Sequence, residues 1–380
     1  MFVINAYGQS GQDGNVSWSI ADSTLTLTGT GAMKDYSYDN NNAPWHIHRA
    51  LIKYVVVESG LTTIGKSAFA LCSGLTTIEI SDSVTSIGDH AFLACRNLTG
   101  INIPDSTKII GALSFGACSS LTNIDIPNGV SAIGEGAFSG CTGLKTINID
   151  STNNTYKSID GIAFSKDEKE LLIYPAGNED SLYIVPDHVT KIGYGVFLTC
   201  ENIKKIEIQN GVTTIGKEAF YNCKNLRAIK IPGSVTAIGD NAFHYCSSLD
   251  TVEVNWSTPI SINPGIYTMS SIAEATLSVP EGSKSAYEAA NGWKNFGTII
   301  ERRVPTSNKH IDAENIYASY TNGSLIINSP FDETVNIYGI SGTLVCSMVK
   351  KEGKITYPYF LSDGIYIVSG SSGWSLKLLK

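Results

Sequence analysis

From about residue 50 to 253 the apolar and polar positions repeat as a block of mixed character, not as a single helix or strand period. One block is LTTIEISDSVTSIGDHAFLACRN, Leu75 to Asn97. Leu75, Ile78 and Ile80 are apolar with Thr77 and Glu79 between them, an alternation that predicts a short two-faced strand. Val84 and Ile87 form a second apolar pair, and Gly88 is expected to turn the chain. Ala91, Phe92 and Cys95 then fall at helix-like spacing and predict one short helical turn packed inward. In other blocks Pro104, Pro127, Pro186 and Pro232 follow the strand, where a residue without an amide proton ends the ladder.

The block recurs as GLTTIGKSAFALCSGL, TKIIGALSFGACSSL, GVSAIGEGAFSGCTGL, HVTKIGYGVFLTCENI, GVTTIGKEAFYNCKNL and SVTAIGDNAFHYCSSL. Cys72, Cys95, Cys118 and Cys141 are 23 residues apart, as are Cys200, Cys223 and Cys246. A fixed period of this size marks a solenoid. No unit can bury its apolar set alone; stacked units align Phe69, Phe92, Phe115, Phe138, Phe197, Phe220 and Phe243 in one internal column. Each such ring contributes roughly 1.5–3 kcal/mol of burial, most of it offset by backbone ordering. The strands are expected to form one parallel sheet advancing about 4.8 Å per unit.

The repeat decides how its cysteines are read. His90 beside Cys95 suggests a base and a nucleophile, but no other unit has a histidine there; Ser67 and Glu218 hold the matching places. Seven thiols at one repeat position cannot all pair. Neighbours about 4.8 Å apart with parallel side chains are also poorly aimed for a disulfide. They are expected to be a buried ladder of free thiols, with Cys346 outside it.

SVTSIGDHAFLACRNLTGINIP and its copies, from about Ala50 to Glu253, follow a leucine-rich-repeat pattern and resemble the BspA-like leucine-rich repeat proteins of bacterial surfaces. The slips are Ser114 for Ala, Gly195-Val196 for x-Ala, and Thr107 for Val. The expected fold is thus a leucine-rich repeat solenoid, a parallel β-sheet with short helical turns. A β-hairpin cap over residues 1–49 precedes it, with NVSWSI and TLTLTG as its strands, and GTGAMKDY and APWHIH resemble the family's cap. TLSVPEGSKSAYEAANGWKNFGTIIE supplies a strand, a helix-like run at 283–291 and then Trp293 and Phe296, a second cap over 254–302. Residues 303–313 read as a polar linker.

Residues 314–380 alternate differently: SLIINSP, TVNIYGISG, TLVCSMV, KITYPYF, GIYIVSG and WSLKLLK predict a small antiparallel β-sandwich. VNIYGISG, GIYIV and the closing LKLLK resemble the sorting domain of type IX secretion cargo in Bacteroidota. The resemblance would place Lys377 and Lys380 in a terminal recognition motif, although Gly339 stands where that family commonly has Asp or Asn. An ordinary immunoglobulin-like module is the other reading. Between Cys141 and Cys200 the spacing lengthens to 59, through STNNTYKSIDGIAFSKDEKELLIYPAGNED. Ile162 and Phe164, then Leu172 and Tyr174, predict a β-hairpin near 150–180 leaving the edge of the stack. It is either a longer repeat or, less simply, a projecting contact element.

Composition narrows function. Lys and Arg total 27 and Asp and Glu 35, and no stripe collects the basic residues, so nucleic acid is not an expected partner. No run of about 18 apolar residues predicts a membrane-spanning helix. Met1-Phe2-Val3-Ile4 is too short for a signal peptide, so the expectation is a cytosolic chain or one whose signal has been removed; the resemblance favours a secreted or outer-membrane-surface location. His46 and His48 flank Ile47 without a third ligand nearby, so neither a metal nor a cofactor is expected. There is no G-x-S-x-G, H-E-x-x-H or C-x-x-C, and carboxylates such as Glu79, Asp125, Glu207 and Glu253 recur with the repeat, so no acid pair is singled out and no enzyme is expected.

What remains is a surface. The outward strand positions are Tyr54 and Val56, Thr77 and Glu79, Gly100 and Asn102, Asn123 and Asp125, Thr146 and Asn148, Leu182 and Ile184, Lys205 and Glu207, Ala228 and Lys230, and Thr251 and Glu253. Leu182 and Ile184 are the apolar pair late in this polar strip and its sharpest local candidate. The strip is poor in aromatic platforms, which favours protein over carbohydrate. By resemblance the ligand is a protein of host matrix or bacterial surface, with a carbohydrate-binding accessory for glycan use as the alternative. A monomer is expected.

Overall fold

The computed structural model describes residues 8–37, 43–267, 270, 272–302 and, in the C-terminal part, 317–321, 324–329, 333–339, 344–351, 353–358, 365–371 and 375–379. The chain winds as a β-solenoid of about 11 turns with almost no helix. Each repeat contributes to two parallel ladders, not to one sheet. The first runs through Thr24–Gly29, Tyr54–Val57, Thr77–Ile80 and Gly100–Ile101, through Asn123–Ile126 and Thr146–Ile149, and later through Leu182–Ile184, Lys205–Glu207, Ala228–Ile231 and Thr251–Val254. The second is built from the Val/Ile half of the block, in two-residue strands such as Ser86–Ile87, Ile109–Ile110, Ala132–Ile133, Lys191–Ile192, Thr214–Ile215 and Ala237–Ile238. Register is that of the repeat: Thr77 pairs with Gly100, Asp125 with Asn148, Glu207 with Lys230 and Lys230 with Glu253.

The expected helical turn is not helical. Two columns of left-handed residues interrupt it in every repeat: Ser67, His90, Leu113, Gly136, Gly195, Glu218 and Asn241, then Leu71, Ala94, Ala117, Gly140, Thr199, Asn222 and Tyr245. Each column closes a tight turn, so Phe and Cys share a face by way of two successive turns (i, i+3 spacing is common to both geometries). The extended stack gains what a helix would forgo, because Phe69 N–H bonds to Ala91 of the next turn at 2.8 Å and Phe92 N–H to Ser114 at 2.7 Å. Gly88 opens the first of these turns, its carbonyl accepting Ala91 N–H at 3.2 Å, and it also stands where two backbones meet. A Cβ on it would lie 2.7 Å from Lys66 N, and one on Gly239 2.3 Å from Lys217 N. The Ile-Gly step exists to let adjacent backbones touch.

The rings stack as expected within each run of repeats, but as two columns and not one, parted at the insert. Phe69, Phe92, Phe115 and Phe138 stack at 5.3 Å, and Phe197, Phe220 and Phe243 at 5.2 and 5.0 Å. The outer ends are closed by larger aromatics. Trp45 stacks on Phe69 at 6.0 Å and donates its indole N–H to Ala68 O at 2.9 Å. Tyr267 stacks on Phe243 at 5.1 Å and meets Trp293 and Phe296. The seven repeat thiols are free and buried, as expected, and all but the first also donate to the previous turn. Cys95 bonds to Phe69 O at 3.1 Å, Cys118 to Phe92 O at 3.2 Å and Cys223 to Phe197 O at 2.9 Å.

At the N-terminal end Val16–Ala21 and Thr24–Gly29 form the expected hairpin, with Gln9–Asp13 as a third antiparallel strand. At the other end the first ladder outlasts the sequence period. Thr276–Pro280 and Thr298–Arg302 add two parallel strands to it, joined by the helix Lys284–Ala289. The 303–313 stretch lies outside the described residues. Beyond it are two antiparallel sheets, Tyr317–Thr321 with Ser324–Ser329 and Gly353–Pro358, and Leu344–Lys350 with Glu333–Gly339, Ile365–Gly370 and Ser375–Leu379. Tyr317–Thr321 is a strand the sequence reading missed. Lys350 is buried there at 1% exposure, its ammonium held by Ser329 O at 3.0 Å and Lys351 O at 2.6 Å.

The inserted unit does not leave the stack. Tyr156–Ile159, Ile162–Ser165 and Glu170–Ile173 form a three-stranded meander whose last strand runs parallel to Lys191–Ile192 in the second ladder. Ala163, Phe164 and Leu171 are core residues, which rules out a projecting hairpin. Asn153 ties the insert down. Fully buried, it donates to Pro127 O at 3.0 Å and Val130 O at 2.9 Å and accepts from Thr155 N at 2.9 Å and Tyr156 N at 2.8 Å. Four partners for one amide leave no desolvation cost outstanding.

Candidate functional site

The strand strip follows the first ladder and is in register within three groups of strands, Tyr54 to Ile101, Asn123 to Ile149 and Leu182 to Val254. Tyr54 is 49% exposed, Thr77, Glu79, Asp125 and Asn148 are exposed, and Asn102 is exposed just beyond its two-residue strand. The strip has two electrostatic characters. In its late part charges neutralise one another: Lys205 with Glu207 at 2.6 Å, Lys230 with Glu253 at 3.6 Å, and Arg302 with Glu253 at 3.3 Å. Exposed pairs of this kind add roughly 0–1 kcal/mol of stability each. Glu79 and Asp125 are in no ion pair among the described residues, and Asp125 instead accepts from Asn148 Nδ2 at 2.7 Å. The early part is thus the acidic one. Leu182 and Ile184 are half-buried and pair with Lys205 and Glu207. Lys377 lies in the strand Ser375–Leu379 opposite Ile367, and Lys380 lies outside the described residues.

Cys95 is fully buried, and its thiol is spent on the Phe69 carbonyl. Burial pushes the thiols of Cys72, Cys118 and Cys246 up to about 12 and raises Cys95 well above the ordinary range. Such groups are not nucleophiles at neutral pH. With a thiol-specific disulfide reagent near pH 8, native protein should therefore react at Cys346 alone, which is only part-buried, and at all eight cysteines after denaturation. His46 and His48 bring no third ligand, and among the described residues no group of three or more His, Cys, Asp or Glu could hold a metal ion.

A second feature, unforeseen from the sequence, lies at the insert. The second ladder stops at Ala132–Ile133 and restarts at the meander. The hydroxyl of Tyr156 fills the gap in the hydrogen bonding by accepting Ile133 N–H at 3.0 Å. The ring column breaks at the same level, between Phe138 and Tyr174, and the buried core divides into two clusters there. The break opens as a cleft of about 210 Å³ on the surface, walled by Glu135, Tyr156, Glu170, Tyr174, Lys191 and Tyr194. Glu170 pairs with Lys191 at 2.7 Å, and Tyr194 donates to Glu218 Oε2 at 2.5 Å. Burial, then that hydrogen bond and the charges of Glu218 and Glu135, hold the Tyr194 phenol well above its usual range. A third feature is an aromatic cluster on the turn side. Tyr221 and His244 stack at 5.2 Å and Tyr245 meets His244 edge-on at 4.3 Å, with Tyr245 39% exposed.

Comparison with known proteins agrees with this architecture. The family model for the BspA type leucine-rich repeat region matches six copies, over residues 48–169 and 181–291. Among solved structures, the chain is similar to a leucine-rich repeat protein from Eubacterium ventriosum at 26% identity and a TM-score of 0.61, over 76% of this chain and 83% of that one. It shares its fold with the pneumococcal vaccine antigen PcpA at 17% identity and a TM-score of 0.51, over 78% of this chain and 99% of that one. No curated protein matches it.

Proposed function

Because the chain belongs to the BspA-type leucine-rich repeat family, we propose that it is a secreted or cell-surface binding protein without catalytic activity. Its ligand is a protein of the host matrix or of a bacterial surface, and the solenoid engages it. The observation that carries this reading is the strip of outward strand positions from Tyr54 to Glu253, in register within each of its three strand groups, whose early carboxylates Glu79 and Asp125 are in no ion pair among the described residues. A rigid stack presents such positions at fixed spacing and loses little entropy on binding. The C-terminal unit is assigned the sorting role through Lys377 and Lys380. Fusing residues 314–380 to a periplasmic reporter should direct it out of a cell that has the type IX system, and Lys377→Ala should reduce that export.

The glycan alternative gains one supporting observation, the Tyr221–His244–Tyr245 cluster, of which Tyr245 is exposed and the other two are half-buried. Parallel protein and glycan arrays probed with the intact chain separate the two readings. Saturable protein binding, weakened at least about tenfold by Ile184→Asp or Glu79→Lys, is expected, since a charge placed wrongly at an interface costs several kcal/mol. Binding confined to glycans, and lost in Tyr245→Ala, would replace the protein reading.

A further inference from the structure

The cleft at the insert has a cause in the sequence and a consistent chemistry. In the other repeats the first left-handed corner carries a side chain: Ser67, His90, Leu113, Glu218 and Asn241. At the two turns that face each other across the insert it is glycine, Gly136 at φ +63° and Gly195 at φ +56°. Neither glycine is needed for the backbone angle, because the neighbouring turns hold other residues at φ between 50° and 57°. What the glycines provide is space. A Cβ on Gly136 would come within 3.3 Å of the Tyr194 ring, so the missing side chain is what lets that ring lie across the break.

The walls are electron-rich. Glu135 is exposed on the rim and is in no ion pair among the described residues, whereas the Lys191 charge is already met by Glu170. Tyr156 and Tyr194 offer rings, and Lys217 already lies over Tyr194 with its ammonium 5.9 Å from the centroid. Tyr174, 2% exposed, lines the same cleft with a hydroxyl that has no hydrogen-bond partner among the described residues. Carboxylate and tyrosine faces together attract an ammonium or guanidinium group. The volume of about 210 Å³ is below the roughly 300–1,000 Å³ of drug-sized ligand sites and suits one long side chain.

We propose that this cleft receives a single lysine or arginine side chain of a protein partner, its aliphatic stem between Tyr156 and Tyr194 and its charged end at Glu135. The site lies on the second ladder and so is separate from the strand strip; it rests on the protein-binding reading only for the origin of the side chain. The probes are Nα-acetyl-lysinamide and Nα-acetyl-argininamide titrated into the full chain by NMR, with Nα-acetyl-norleucinamide as the neutral control and 1,4-diaminobutane as a free cation. At least one blocked cationic residue should bind saturably with a millimolar Kd, and norleucinamide should not.

Glu135→Gln should weaken that binding about two- to fivefold, the size of one exposed charge contact. Gly195→Asn, which the Cβ distances of 3.5 Å and more at that position accommodate, should narrow the cleft and weaken it further, with an unchanged unfolding midpoint showing that the fold is kept. Ile184→Asp should leave it unchanged, so a failed strand-strip reading and a failed cleft remain distinguishable. Equal binding of norleucinamide, binding of the diamine alone, no saturable binding, or indifference to Glu135→Gln would each overturn the proposal.

Discussion

Folding stability falls steeply as pH rises above about 9, the point at which a thiol in the unfolded chain ionises. The repeat cysteines sit inside the stack, and burial pushes Cys72, Cys118 and Cys246 to about 12 in the folded state. The folded form keeps its protons where the unfolded form releases them. The contribution is whole below the unfolded value and is lost as pH climbs toward the folded one. Each buried thiol then removes up to about 1.4 kcal/mol per pH unit, so three remove about 4, against a usual total of roughly 5–15 kcal/mol. Cys95, Cys141 and Cys223 are raised for the same reason and add to the slope. Urea midpoints between about pH 7.5 and 9.5 read mainly the thiols, since tyrosines in the unfolded chain ionise only near 10. Cys223→Ala should lose stability at neutral pH yet show a shallower alkaline slope, by one proton. A profile flat across this window would mean the thiols are not enclosed.

Phe220→Ala should cost about 3–5 kcal/mol, the range for removing a fully buried aromatic side chain. Phe220 is 0% exposed and stacked on both sides, at 5.2 Å from Phe197 and 5.0 Å from Phe243. Its turn is held above and below by Phe220 N–H to Ala242 O at 2.8 Å and Phe197 N–H to Ala219 O at 2.8 Å, so the backbone cannot collapse into the hole. Phe138→Ala is the informative comparison. That ring stacks on Phe115 alone and borders the cleft, where solvent can enter the vacated space. It should cost less, by about 1 kcal/mol or more. Chemical unfolding of the two variants, with amide exchange at residues 197–243 as a local reading, checks both. Equal losses would show that the column is continuous through the insert.

The solenoid itself was legible because a 23-residue step puts like residues at like places, and columns of Phe, Cys, Ile and Gly then follow from burial alone. The outward strand positions followed too, from alternation. Local geometry was less legible. The spacing of Ala91, Phe92 and Cys95 fits a helical turn as well as two tight turns, and the left-handed angles at His90 and Ala94 carry no residue signature. The second ladder was hidden because a two-residue strand shows no alternation. The hairpin of the insert was legible from its two apolar pairs, but not its place within the stack, because the anchor is Asn153, a polar residue whose four hydrogen bonds are all tertiary or to nearby backbone. The cleft did leave a trace. Gly136 and Gly195 depart from Ser67, His90, Leu113, Glu218 and Asn241 in aligned repeats, a difference that has meaning only once the two turns are known to face each other.

The central claim is that successive repeats lie directly over one another, so that every surface position is one of a file at constant spacing. Spin labels placed on the exposed face at Thr77 and Asn123, and then at Thr77 and Thr146, measure it through their dipolar coupling. The in-register ladder requires backbone separations of about 10 and 14 Å, rising by the same step of about 4.8 Å per repeat. Separations that do not grow with repeat number, or that grow by a helical-hairpin step near 10 Å, would contradict the stacked arrangement on which the fold, the strip and the cleft all depend.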